Sequence, residues 1–205
     1  MKNQALVILT ITSICWLTLF GCAPSGGSSS QIAKLQGTWV SGCWKPTSFY
    51  RKDSYTFSGT DMSASITLYD DAACSNQMNQ VDIAWSDIRT GDNITIDNQT
   101  LYQISYTLMS RNYTAVHTDM VDIINNISWC GKTDWALDVV VDTLGFTCQS
   151  GSNTLVYPSK GSTVYNIFSI EGSEVRFGNN NLYHFPTDQY PTEIYEADTA
   201  VFIKQ

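Results

Sequence analysis

The chain has two histidines and nineteen acidic residues with which to do acid–base or metal chemistry, and their spacing supports none. Nucleophilic catalysis needs a serine or cysteine beside a base. His117 and His184 stand isolated, and no Gly-x-Ser-x-Gly turn surrounds any serine, so both histidines read as structural or surface residues. Glycoside hydrolysis needs two carboxyls held a set distance apart. Asp70 and Asp71 would project to opposite faces of a strand, Asp138 and Asp142 to one face, and Asp119 and Asp122 to one helix face. All are more simply solvated residues or caps. No Asp-x-Asp-x-Asp-Gly loop offers a calcium site and no Cys-x-x-Cys a zinc site. The residues therefore predict no catalytic set, no metal and no cofactor: a non-enzymatic protein.

Charge removes another class. The net charge is −8 and the longest basic run is Arg51-Lys52. Phosphate backbones are held by patches of lysine and arginine, so no nucleic-acid partner is expected.

Cys22 carries chemistry of a different kind. Lys2 opens a positive end, Ala5 to Phe20 is almost wholly apolar, and Leu19-Phe20-Gly21-Cys22 closes the segment. This resembles a bacterial lipoprotein signal. The resemblance implies that the peptide is cut before Cys22, whose thiol carries diacylglycerol, and that the protein hangs from a membrane in the cell envelope. Ala23, rather than aspartate, follows the cysteine; in bacteria with two membranes this is compatible with transport to the outer one. An ordinary secretory signal cut near Gly21 to Ala23 and an uncleaved anchor are the alternatives, although the apolar stretch of about 16 residues is short of the roughly 20 a spanning helix needs.

Export sorts the cysteines. Cys15 leaves with residues 1–21 and Cys22 takes lipid, which leaves Cys43, Cys74, Cys130 and Cys148. An even number in an exported domain implies disulfides. Of the three possible pairings, Cys43 with Cys74 and Cys130 with Cys148 is preferred, because each pair is near in sequence and flanked by turn or strand signals. Residues 22–33 are predicted to be a tether, since Ala23 to Ser30 is Pro/Gly/Ser-rich with nothing to bury. One domain, 34–205, follows.

The elements that must carry these residues are strands. Apolar residues recur at every second position in Tyr55-Phe57, Ala64-Ile66-Leu68, Val81-Ile83-Trp85, Ile94-Ile96, Tyr102 to Leu108, Leu137-Val139-Val141 and Val164 to Ile170. Ser58 to Asp61, Thr90-Gly91-Asp92, Ser159 to Ser162, Glu171-Gly172 and Gly178 to Asn181 punctuate them as turns. The expected fold is all-β: eight to ten antiparallel strands in a closed or nearly closed barrel, since a sheet of that size must hide its edges. One interruption, Thr118 to Ser128, has apolar spacings of three and four, and predicts a short helix capped by Asp119.

Gly37-Thr38-Trp39 resembles the Gly-x-Trp opening of lipocalins, and Thr133-Asp134-Trp135 is similar to their Thr-Asp-Tyr motif. The resemblance implies an eight-stranded barrel with Trp39 as the plug of its closed end and a late arginine, here Arg176, packed over it. Gly37 to Cys43, Tyr69 to Cys74, Cys130 to Trp135 and Pro191-Thr192 are together similar to a group of bacterial surface lipoproteins, a likeness that implies architecture but no chemistry. Aromatic residues on the predicted strands would either line a pocket for a small apolar ligand or fill the interior as core. Two functions stay open: carriage of a small apolar ligand inside the barrel, or an envelope assembly or adhesion module that contacts another protein through loops and strand edges. A cavity would favour the first; a filled interior with an exposed apolar patch would favour the second.

Overall fold

A computed structural model of the chain describes residues 28–46, 48–96, 98–150, 153–178, 188–194 and 201–205. Cys22 and His184 lie outside the described residues, as does the proposed signal. In the described part the period-two pattern becomes strands: β1 (Gly37–Ser41), β2 (Tyr50–Ser58), β3 (Asp61–Tyr69), β4 (Gln77–Ile96), β5 (Gln99–Ala115), β6 (Val140–Asp142), β7 (Thr147–Ser150), β8 (Asn153–Val156), β9 (Thr163–Glu171), β10 (Glu174–Phe177) and β11 (Phe202–Lys204).

Eight of them close into an antiparallel barrel. Each of β1 to β5 pairs with the next, β5 then pairs with β9, and β9, β10 and β11 lead back to β1. Closure leaves the barrel wall without an edge. The fold expected from the sequence is the fold observed. Residues with alternate side chains turned inward, among them Phe57, Ala64, Ile83, Trp85, Ile104, Leu108, Val164, Phe168 and Val175, form one buried cluster.

Between the fifth and sixth barrel strands the chain leaves the wall for residues 116–162. This insertion holds α2 (Thr118–Asn126), a 3₁₀ turn at Trp129–Gly131, β6 and the β7–β8 hairpin. β6 adds to the upper half of β5, while β9 occupies its lower half. Among the described residues the hairpin pairs only with itself.

Several expectations are corrected. The helix α1 (Ser28–Leu35) occupies the end of the stretch assigned to the tether, and the folded part begins before residue 34. Its Leu35 is buried and Ile32 packs against the core, so tertiary contact holds a helix that composition would not predict. Thr90-Gly91-Asp92 is no turn; it lies inside β4, where the pairing with β5 shifts register, and the reversal falls at Asn98, which has a φ of 64°. Of Leu137-Val139-Val141, only residues 140–142 form a strand; Leu137 makes a single bridge to Ala115.

Both expected disulfides are present. Cys43–Cys74 ties the β1–β2 connection to the β3–β4 turn, and Cys130–Cys148 ties the 3₁₀ turn to β7.

Candidate functional site

Inside the barrel, aromatic rings touch. Tyr55 lies 6.5 Å from Trp85, 5.2 Å from Phe177 and 5.1 Å from Phe202, centre to centre; Trp85 meets Tyr106 at 5.5 Å. Such separations are those of direct ring contact. These side chains fill this part of the interior, so the aromatic residues that the sequence offered as pocket lining are mostly core. Tyr165 is different: it stacks edge-on with Tyr190, 5.0 Å away, outside the main cluster.

Polar groups share the interior in hydrogen-bonded sets, although Asn79 Oδ1 and Trp85 Nε1 are buried without a hydrogen-bond partner among the described residues. Asp53 is 2% exposed and accepts from Arg51 Nε at 2.6 Å, and its backbone N–H donates to Ser41 Oγ at 2.8 Å. Arg51 lies over the Trp44 ring. Asn166 Nδ2 donates to Tyr106 Oη at 3.4 Å, and Asn79 Nδ2 to Tyr113 Oη at 2.9 Å. Burial pushes Tyr106 and Tyr113 up to about 12, against the lowering effect of those two amides. Burial, followed by the Asp53 charge, also raises Tyr55.

A pH dependence follows. Below the ordinary tyrosine pKa, roughly 10, these hydroxyls are protonated in both folded and unfolded chains, and their contribution to stability is complete. Above it the unfolded chain releases protons that the folded chain keeps, so stability falls as pH rises towards about 12. Tyrosinate absorbance should therefore show Tyr55, Tyr106 and Tyr113 ionising together with the loss of far-ultraviolet circular dichroism. Smooth ionisation of all eleven tyrosines in an intact fold would contradict the burial argument.

The end of the barrel at the β2–β3 turn is closed by α1. Gln36, just after it, bonds Gly59 in that turn through both amide atoms. Trp39 is fully buried there and its Nε1 donates to Leu35 O at 2.6 Å. Gly37, with φ at +106°, adopts a backbone that favours glycine just before it. Trp39 is thus enclosed at the end that α1 covers. The cation over its ring is Lys204, 5.3 Å from the centre and directly across in β11, not Arg176. Arg176 instead lines an open hollow of about 570 Å³ with Glu171, Glu174 and Thr192.

The insertion is fastened over the opposite end. Tyr113 on β5 meets Trp129 at 4.7 Å and Trp135 at 5.3 Å, and Met120 and Ile124 of α2 join the same buried cluster. Asn125 exchanges two hydrogen bonds of 2.9 Å with the Trp135 backbone, which locks α2 to the segment that follows the 3₁₀ turn. His117, not Asp119, caps α2: its Nδ1 accepts from the Asp119 N–H at 3.2 Å. That bond gives this histidine a structural task.

Arg111 is the residue that sequence reasoning missed. It is 7% exposed, donates to Thr143 Oγ1 and lies 3.5 Å from the Tyr157 ring centre. Among the described residues no carboxylate pairs with it, and burial lowers its pKa. Tyr157 belongs to the small cluster around Cys148 and Leu155, so this guanidinium joins barrel to hairpin.

The insertion exposes more large apolar side chains than the barrel wall does. Eight large apolar side chains are exposed among the described residues, and six of them, Ile123, Ile127, Leu137, Val139, Val140 and Val156, belong to the insertion. On the wall, by contrast, Ser54, Thr56, Ser63, Ser65, Asp82 and Ser110 surround a shallow hollow of about 260 Å³.

The sequence matches no protein-family model and no curated protein. The geometry alone therefore defines the class: a disulfide-bonded, eight-stranded antiparallel barrel with a crown inserted between its fifth and sixth strands.

Proposed function

We propose that the protein is a lipid-anchored, non-enzymatic component of the cell envelope that uses its barrel as a scaffold and presents the insertion to another envelope protein. The observation that carries this reading is the contrast between inside and outside. Rings in contact occupy the interior, whereas the insertion exposes six large apolar side chains. Six of the eight exposed large apolar side chains of the described residues fall on this one insertion, and exposed apolar surface that gathers marks an interaction site. The lipoprotein-like segment at Cys22 supports the anchor, and the lipocalin-like opening at Trp39 is consistent with the scaffold.

Carriage of a small ring-shaped ligand is the second reading. Trp85 Nε1 is buried and has no hydrogen-bond partner among the described residues, and the inward-facing Tyr55, Ile66 and Phe177 keep partial exposure.

Intact mass spectrometry of the membrane-extracted protein tests the anchor. It should show loss of residues 1–21 and a diacylglyceryl adduct on Cys22; a soluble, unmodified mature chain would refute it. Native mass spectrometry then separates the two readings, with a protein adduct expected and a co-purifying small molecule favouring carriage.

A further inference from the structure

From the crown's chemistry we infer its partner: an extended polypeptide segment that alternates apolar residues with lysine or arginine, added as a strand beside β6. The inference rests on the interaction reading above and gives it a site.

β6 ends the sheet. It pairs with β5 through Val140, Val141 and Asp142, and its other edge carries no strand among the described residues. An unpaired edge presents a row of backbone donors and acceptors, which a second strand satisfies. Proteins protect such edges with lysine, proline or a covering loop. Here the edge carries Val139 at 49% and Val140 at 62% exposure. Ile123 and Ile127 are also exposed, on α2 of the same insertion, which the Asn125–Trp135 bonds hold in place.

Charge selects the occupant. Residues 116–162 contain five aspartates, Asp119, Asp122, Asp134, Asp138 and Asp142, all exposed. They contain two lysines, Lys132 and Lys160, and Lys132 is already bonded to Asp134. A second copy of the chain would set acid against acid, and anionic lipid headgroups would meet the same repulsion. A basic partner meets attraction. Position agrees: the insertion leaves β5 at Ala115, opposite Asn79 and near the β3–β4 turn, whereas α1 lies at the β2–β3 turn, the other end of the barrel.

The test uses the full chain in neutral detergent and two labelled peptides, Lys-Val-Lys-Val-Lys-Val-Lys and its glutamate counterpart, with binding read by fluorescence anisotropy. The lysine peptide should bind at least about tenfold more tightly than the glutamate peptide. Val140→Lys should weaken it about tenfold, and Asp122→Lys, an exposed helix position outside the core, should weaken it severalfold. Ser63→Lys makes a comparable charge change on the barrel wall and should leave binding within about twofold. Thermal melts of the three variants should match the parent. Equal binding of both peptides, or equal losses from Ser63→Lys and Val140→Lys, would overturn the proposal. So would binding to anionic phosphatidylglycerol vesicles that Val140→Asp abolishes. An unlipidated Cys22 would remove the anchor and leave the peptide result standing; a failed peptide test would do the reverse.

Discussion

Trp39→Ala is expected to destabilise the barrel by about 3 to 5 kcal/mol, the range for emptying a fully buried tryptophan site. Domains of ordinary stability have roughly 5 to 15 kcal/mol to lose, so this one change removes a large share. The size follows from position. Trp39 has no exposed surface, its indole N–H bonds Leu35 O, and Lys204 lies across its ring, so the cavity would open between α1, β1 and β11. Trp39→Phe separates the contributions: it keeps most of the volume but leaves the Leu35 carbonyl without its donor, at a cost of roughly 1 to 3 kcal/mol. Urea unfolding of the signal-free chain, followed by circular dichroism, measures both. If both variants fell within about 1 kcal/mol of the parent, Trp39 would not be the plug.

Loss of the Cys130–Cys148 bond should have a comparable but localised effect. The sequence separation is 18 residues, and the chain-entropy account of such a loop gives about 3 kcal/mol. What the bond secures is small. β7 and β8 form a separate two-stranded sheet around Cys148, Leu155 and Tyr157, and an isolated hairpin of that size is marginal in water. In a Cys130→Ala, Cys148→Ala variant, amide exchange in residues 147–150 and 153–156 should accelerate while β2, β3 and β4 stay protected. Uniform acceleration across the barrel would show that the crown and wall unfold as one unit.

The wall was legible because its strands obey one rule. Alternation in β2, β3, β5 and β9 reports which face is dry, and Ser58 to Asp61 and Glu171-Gly172 mark real reversals. The disulfides were legible for a related reason: both pairs join segments close in sequence. What escaped depended on contacts between distant segments. α1 exists because Ile32 and Leu35 meet the core, which no local pattern in a serine-rich stretch reveals. The Trp39 cation is set by strand register, which places Lys204 opposite it; resemblance pointed to Arg176 by order alone. At the candidate site, Val139 and the residues near it carry a strand-like alternation, yet Leu137 and Val139 point into solvent. Periodicity tells which residues share a face, not whether that face is covered.

The pairing of β1 with β11 also sets an order of events. β1 is the first strand of the wall, and one of its two neighbours is the last to be made. Contacts between remote segments form late, because the intervening chain must be gathered before they are rewarded. In a chain that crosses a membrane amino end first, as the proposed anchor requires, Trp39 emerges early and waits for Lys204. Until then the wall has two open edges and the ring cannot lock. Under that proposal the polypeptide would stay threadable throughout its passage, and the pairing of β1 with β11 that completes the wall would coincide with arrival.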